Sequence, residues 1–174
     1  MSFIYVARLD ELKGLKILFE AWKIMEDNSQ ELKVCGSGPL ESWCKNFIDK
    51  HHLSSVSMLG FIPNKVAKKL IANSEALILP TQWYEGFPMT ILEAYSLGTP
   101  VIGSDLGNVG SLVTEEITGA KFVSDSPEDL VQAVKRLQSY KYIRSSTYSV
   151  YKQLYSEKQN YKRLMEIYQN VLIS

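Results

Sequence analysis

The sequence predicts an α/β fold, a doubly wound parallel sheet of about six strands with a helix at the carboxyl end. Short, continuous apolar runs such as Ala76-Leu77-Ile78-Leu79, closed by Pro80, are too brief for core helices and lack the alternation of a half-solvated strand. They read as strands covered on both faces. These runs alternate with segments whose apolar residues recur at helical spacing, which is the pattern of successive βα units. No linker, internal repeat or low-complexity tract divides the 174 residues before the tail. A chain of that length buries one core, so a single domain over residues 1–174 is expected.

The elements follow in order. A strand over 3–7 precedes a helix with Leu15, Leu18, Phe19, Trp22 and Met25 on one face. Residues 32–35 form the second strand, and 40–50 a helix offering Trp43, Phe47 and Ile48 for burial. A third strand over 56–59 leads through Pro63 into a short helix over 64–72. Strands over 76–79, 100–103 and 120–123 complete the sheet. Ser126-Pro127-Glu128-Asp129 is a helix start, with a capping serine, proline in the first turn and acids against the dipole. Its helix presents Leu130, Val134 and Leu137 to the sheet. Beyond Tyr140 the composition turns to Ser, Tyr and Lys. A last helix over 156–171 follows, with Tyr161, Leu164, Met165, Tyr168 and Leu172 in one stripe. That stripe either packs on its own domain or stays exposed as a self-association surface.

The segment richest in chemistry is Leu79-Pro80-Thr81-Gln82-Trp83-Tyr84-Glu85-Gly86-Phe87-Pro88-Met89-Thr90-Ile91-Leu92-Glu93-Ala94. It reads as a strand, a glycine-containing loop and a helix start. The loop leaves a strand's carboxyl end, the edge at which open α/β sheets bind ligands. Pro88 suits the first helical turn, and the unpaired amides that follow form a ready phosphate site. An ionised carboxylate only accepts hydrogen bonds, so it suits vicinal hydroxyls: Glu85 those of a sugar, Glu93 those of a ribose. Spacing alone supports equally a dipole-complementing Glu93 and a solvated Glu85. Trp83 and Tyr84 are expected to anchor the loop in the core, with an aromatic shelf for a base or sugar as the alternative.

Five stretches, in order, resemble one family. Tyr5-Val6-Ala7-Arg8-Leu9-Asp10-Glu11-Leu12-Lys13-Gly14 is similar to the first strand and arginine-to-lysine loop of the carboxyl-terminal domain of GT-B glycosyltransferases, the group 1 or family 4 retaining enzymes. Val34-Cys35-Gly36-Ser37-Gly38-Pro39 resembles its second-strand turn, Leu59-Gly60-Phe61-Ile62 its third, Glu85 to Glu93 its two-glutamate motif, and Gly98-Thr99-Pro100-Val101-Ile102 the strand after it. The resemblance implies a Rossmann-like half of a GT-B fold that binds a UDP- or GDP-sugar. It implies that Arg8 and Lys13 contact the donor diphosphate, Glu85 the transferred sugar and Glu93 the ribose. The backbone of Gly86, Phe87, Pro88, Met89, Thr90 and Ile91 would cradle phosphate, and Ile62 would lie near the base. Two cations can offset charge on a departing diphosphate without a metal. No cofactor is implied and no Asp-x-Asp metal motif occurs in the sequence.

The chain departs from the family at Gly107-Asn108-Val109-Gly110-Ser111, where Ser111 stands for the usual glutamate of Gly-Gly-x-x-Glu. Pro88 also replaces a common glycine and removes one amide from the cradle. The family carries its acceptor site in an amino-terminal domain for which these residues leave no room. The expectation is therefore a donor-binding half of a longer enzyme, poor in transfer alone, with a glycan or lipid-linked acceptor. A sugar-nucleotide epimerase or phosphorylase half and a standalone binding subunit are the alternatives.

Lys plus Arg equals Asp plus Glu at 19 each, and the lysines are scattered among acids, which argues against nucleic acid. No long apolar run or signal-peptide pattern occurs, so no transmembrane segment is expected. Cys35 and Cys44 lack metal or redox spacing and read as packed, reduced thiols, which fits the cytoplasm or its membrane face. His51 and His52, near a helix end, are given no role.

Overall fold

The computed structural model describes residues 1–25 and 29–173. Its strands are β1 (Ser2–Val6), β2 (Glu31–Cys35), β3 (Val56–Gly60), β4 (Ala76–Leu79), β5 (Val101–Ser104) and β6 (Gly119–Phe122). Its helices are α1 (Leu15–Met25), α2 (Glu41–His51), α3 (Asn64–Ala72), α4 (Met89–Ser96), α5 (Gly107–Leu112), α6 (Pro127–Ser139), α7 (Ile143–Val150) and α8 (Glu157–Ile173). The strands form one sheet in the order β3-β2-β1-β4-β5-β6, every neighbouring pair parallel. This is the expected doubly wound architecture, and its order reverses between β1 and β4.

Alternate strand residues feed two cores, one on each face. Phe3 and Tyr5 of β1 join Leu18, Phe19 and Trp22 of α1 and Leu130, Val134 and Leu137 of α6 on one face. Ile4 joins Leu77, Val101, Ile91 and Tyr95 on the other. The helical stripe of α1 is buried as its spacing requires, with Leu15, Leu18 and Phe19 wholly enclosed. Phe47 of α2 packs edge-on to Phe19 at 5.8 Å between ring centroids. Ser126 caps α6 by accepting from the Asp129 amide at 3.1 Å. Both cysteines are free and buried, and burial pushes each thiol up to about 11.

Three expectations are corrected, and one helix, α5, lies where the sequence predicts no element. The α4 helix begins at Met89, so Pro88 is its N-cap and not part of its first turn. The tail holds α7 and a π-helical turn (Tyr151–Tyr155) before α8, because Ile143 and Thr147 are buried one turn apart in a segment that reads as polar. The residues after β5 coil into α5 despite two glycines. There Val109 and Val113 close over Gly103, where an added Cβ would lie 2.7 Å from a Val109 methyl. Trp83 and Tyr84 are 58% and 72% exposed, so neither anchors the loop in the core. On α8, Tyr161, Leu164 and Tyr168 stay exposed and Met165 is half-buried. Of the two alternatives for this stripe, packing wholly on its own domain is therefore not realised, and the side chain of Leu172 lies outside the described residues.

Candidate functional site

The predicted residues gather along the carboxyl edge of the sheet, around the point where the strand order reverses. Two loops meet there. The first leaves β1, turns through a 3-10 helix (Glu11–Lys13) capped by Asp10, and reaches Gly14. Gly14 has φ +71°, and a Cβ there would lie 1.6 Å from the Pro80 carbonyl oxygen. Only glycine lets the β1 loop touch the end of β4 this closely. The second loop, 80–88, is tied to the first where the Gln82 amide donates to the Leu12 carbonyl at 2.8 Å and Thr81 Oγ1 donates to the same oxygen at 3.2 Å.

This contact brings Lys13 and Glu85 together. Lys13 Nζ donates directly to Glu85 Oε1, and Thr81 Oγ1 donates to that oxygen at 3.1 Å. The pair is neither dry nor fully solvated, at 31% and 20% side-chain exposure. Arg8 is exposed, with its Nε 3.6 Å from Asp10 Oδ2. Its carbonyl accepts from the buried Tyr5 hydroxyl at 2.9 Å. Burial, and then the Asp10 carboxylate, push the Tyr5 phenol upward, so it stays a neutral donor.

Arg8 and Ile62 line the same cleft, a space of about 490 Å³ between the ends of β1, β2 and β3. Its floor is Gly36, whose φ of +142° and 1.9 Å clearance from Ala7 O to an added Cβ exclude a side chain. Phe61 is 81% exposed at its rim. Glu93 stands across from this cleft on α4. It accepts from Asn64 Nδ2 at 2.9 Å and lies 3.6 Å from Lys68 Nζ. At the start of α4 the Ile91 amide bonds the Pro88 carbonyl at 2.9 Å, and the first-turn amides of Met89 and Thr90 have no intrahelical acceptor. Phe87 and Met89 also line a second cleft of about 440 Å³ against Leu154, Asn160 and Arg163.

The structure thus joins Lys13 with Glu85, places Arg8 beside Ile62, and sets Glu93 apart on α4, bonded to Asn64 and beside Lys68 of α3. It also adds Asn108, a residue that motif reasoning passed over. Asn108 Nδ2 donates to the carbonyl of Glu85 at 2.9 Å and to that of Gly86. The signal available was its position in the departing Gly107-to-Ser111 segment. Among the described residues, no cluster of three metal-ligating side chains forms. No helix of the described residues is long and apolar enough to cross a membrane.

A cation paired with a carboxylate lies at the switch point, beside a glycine-floored cleft and a helix start, on the edge where open α/β sheets bind ligands. The model of the family described as glycosyl transferases group 1 matches residues 2–148. The chain belongs to this family. An uncharacterized glycosyltransferase of Methanocaldococcus jannaschii is 31% identical over 141 residues, which are 78% of this chain and 35% of that protein. The amylovoran biosynthesis glycosyltransferase AmsK of Erwinia amylovora is 29% identical over 127 residues, 68% of this chain and 31% of that one.

Among solved structures, the apo form of the lipopolysaccharide outer core galactosyltransferase WaaB superposes with a TM-score of 0.83 at 25% identity. That match covers 97% of this chain and 49% of WaaB. Anabaena HepE, solved in complex with UDP-glucose, shares the fold at a TM-score of 0.82 and 19% identity, over 97% of this chain and 48% of that one. The chain spans about a third of the length of these curated relatives. These residues form one Rossmann-like sheet of that family.

Proposed function

We propose that this chain is the donor-binding half of a retaining glycosyltransferase. It takes a UDP- or GDP-sugar and works with an acceptor domain that holds a glycan or a lipid-linked glycan. The observation that carries this reading is the Lys13–Glu85 pair, set by Gly14 where the sheet order reverses. A diphosphate placed there meets Lys13, the Arg8 guanidinium on the neighbouring cleft wall, and the Met89 and Thr90 amides.

These groups stabilise the charge that develops as the anomeric carbon–oxygen bond of the donor breaks, without a metal. Glu85 orients the sugar by accepting from its hydroxyls. Glu93, already accepting from Asn64, anchors the ribose. The base lies along the cleft between β1 and β3, near Ile62. The reaction belongs in the cytoplasm, where nucleotide sugars are made, at or near the membrane's inner face when the acceptor is lipid-linked.

Calorimetric titration of this chain with UDP, GDP and ADP, each alone and as a sugar nucleotide, tests the reading. One nucleotide binds selectively, and Lys13→Ala and Arg8→Ala each weaken it. Unchanged affinity in both variants refutes the assignment.

A further inference from the structure

We infer that Asn108 is a positioning residue of the donor site, whose side-chain amide holds the Glu85-Gly86 backbone so that Glu85 keeps its aim at the transferred sugar. The inference rests on the donor-site reading above. The loop that carries Glu85 is held from two sides. On the β1 side its grip is through Lys13, which donates to Glu85 Oε1, and the Leu12 carbonyl, which accepts from the Gln82 amide; within the loop Thr81 Oγ1 also lies within hydrogen-bond reach of Glu85 Oε1. On the β5 side the grip is on the backbone, where one nitrogen, Asn108 Nδ2, donates to the carbonyls of Glu85 and Gly86. A primary amide carries two donor hydrogens on one atom, which suits two adjacent carbonyls.

The platform beneath Asn108 is rigid. Val109, the next residue, is buried and closes on Gly103. Tyr84 lies over Gly107, whose φ is +53° and where a Cβ would sit 2.9 Å from the Tyr84 ring. A Cβ added at Gly86 would meet nothing within 4 Å, so side-chain packing at that position does not set the loop's path. When a donor diphosphate recruits Lys13, the carboxylate loses its strongest partner. The Asn108 clamp and Thr81 are then what fix the Glu85 backbone and side chain. Functional groups hold their aim when a second set of contacts locks their support.

The test compares nucleotide with sugar nucleotide on the intact chain, using UDP against UDP-glucose and GDP against GDP-mannose. The readout is the sugar increment, the ratio of the two dissociation constants. Asn108→Ala is expected to leave nucleotide affinity unchanged and to cut the increment by roughly three- to tenfold, the worth of one or two hydrogen bonds. Asn108→Asp turns two donors into acceptors facing two carbonyls, so its increment falls below that of Asn108→Ala. Loss of nucleotide and sugar-nucleotide affinity in parallel, with a lowered unfolding midpoint, marks a structural role only and overturns the inference. An increment that survives in both variants overturns it as well, while the donor-site reading stands. Absence of nucleotide binding by the unaltered chain overturns that reading and this inference with it.

Discussion

Replacing Glu85 by glutamine should make this chain bind free nucleoside diphosphate more tightly. In the structure Glu85 is the counter-ion of Lys13, so a diphosphate must compete with it for the cation. Two unit charges about 4 Å apart attract by about 1 kcal/mol in water and about 4 kcal/mol at an effective dielectric constant near 20. The exposures of 31% and 20% place the pair between these limits, and the entropy of holding both side chains lowers the net figure. Glutamine keeps an oxygen that accepts from Lys13 and Thr81 but carries no charge to repel phosphate. The gain on release is therefore about 1–2 kcal/mol, or roughly five- to thirtyfold in affinity for UDP or GDP. The same change removes a charged acceptor for sugar hydroxyls, so the sugar nucleotide should not share the gain. Isothermal titration of the unaltered chain and Glu85→Gln with both ligand types measures each effect. Equal or weaker binding of the free diphosphate by the variant would refute the counter-ion argument.

Gly14→Ala places a Cβ 1.6 Å from the Pro80 carbonyl at φ +71° and should cost about 2–4 kcal/mol in denaturant unfolding, through strain and forced separation of the loops. A loss below about 1 kcal/mol would mean that the loops part easily. Ser126→Ala removes the cap of α6 and should cost about 1 kcal/mol, read as a shift in denaturant midpoint at unchanged slope. For Glu115, burial raises its pKa, but hydrogen bonds from the Tyr140 hydroxyl, the Lys121 amide and Arg136 outweigh this and hold the carboxyl below its ordinary value of 4.5. Its contribution is thus present above pH 4.5 and lost as pH falls through the lowered value in the fold. At 38% side-chain exposure water screens the pair, so Glu115→Gln should cost only about 0.5 kcal/mol at pH 7. The difference from the unaltered chain should vanish in acid, and a gap that widens there would contradict the assignment.

β4 was legible because Ala76 to Leu79 is a compact apolar run with a breaker, Pro80, at its end. Burial on both faces leaves such a run no other reading. The α1 stripe from Leu15 to Trp22 and the cap at Ser126 were legible for equally local reasons. What stayed hidden depends on contacts distant in sequence. Two glycines argue against helix in α5, and only Val109 and Val113 closing on Gly103 overrule them. In α7 a threonine, Thr147, takes a buried position because its hydroxyl bonds the Ile143 carbonyl at 2.7 Å. Motif spacing placed Lys13 and Glu85 at one edge of the sheet but not in contact, and it passed over Asn108, 23 residues beyond Glu85. Both contacts follow from strand order, which places β1 and β5 on either side of β4.

The meeting of the β1 and β4 loops bears on how the chain assembles. Lys13 and Glu85 are 72 residues apart, and the strands beneath them are registered through Phe3 with Ala76 and Ile4 with Leu77. Between them the chain must travel out through β2 and β3 and return, the kind of long closure that slows folding. The ligand edge therefore does not exist in either half of the sheet by itself. It forms when the seam between them shuts. On the donor-site proposal, a ligand bound across that seam at a hundred times its dissociation constant would stabilise the closed chain by about 2.7 kcal/mol, so the donor would also act as a clasp.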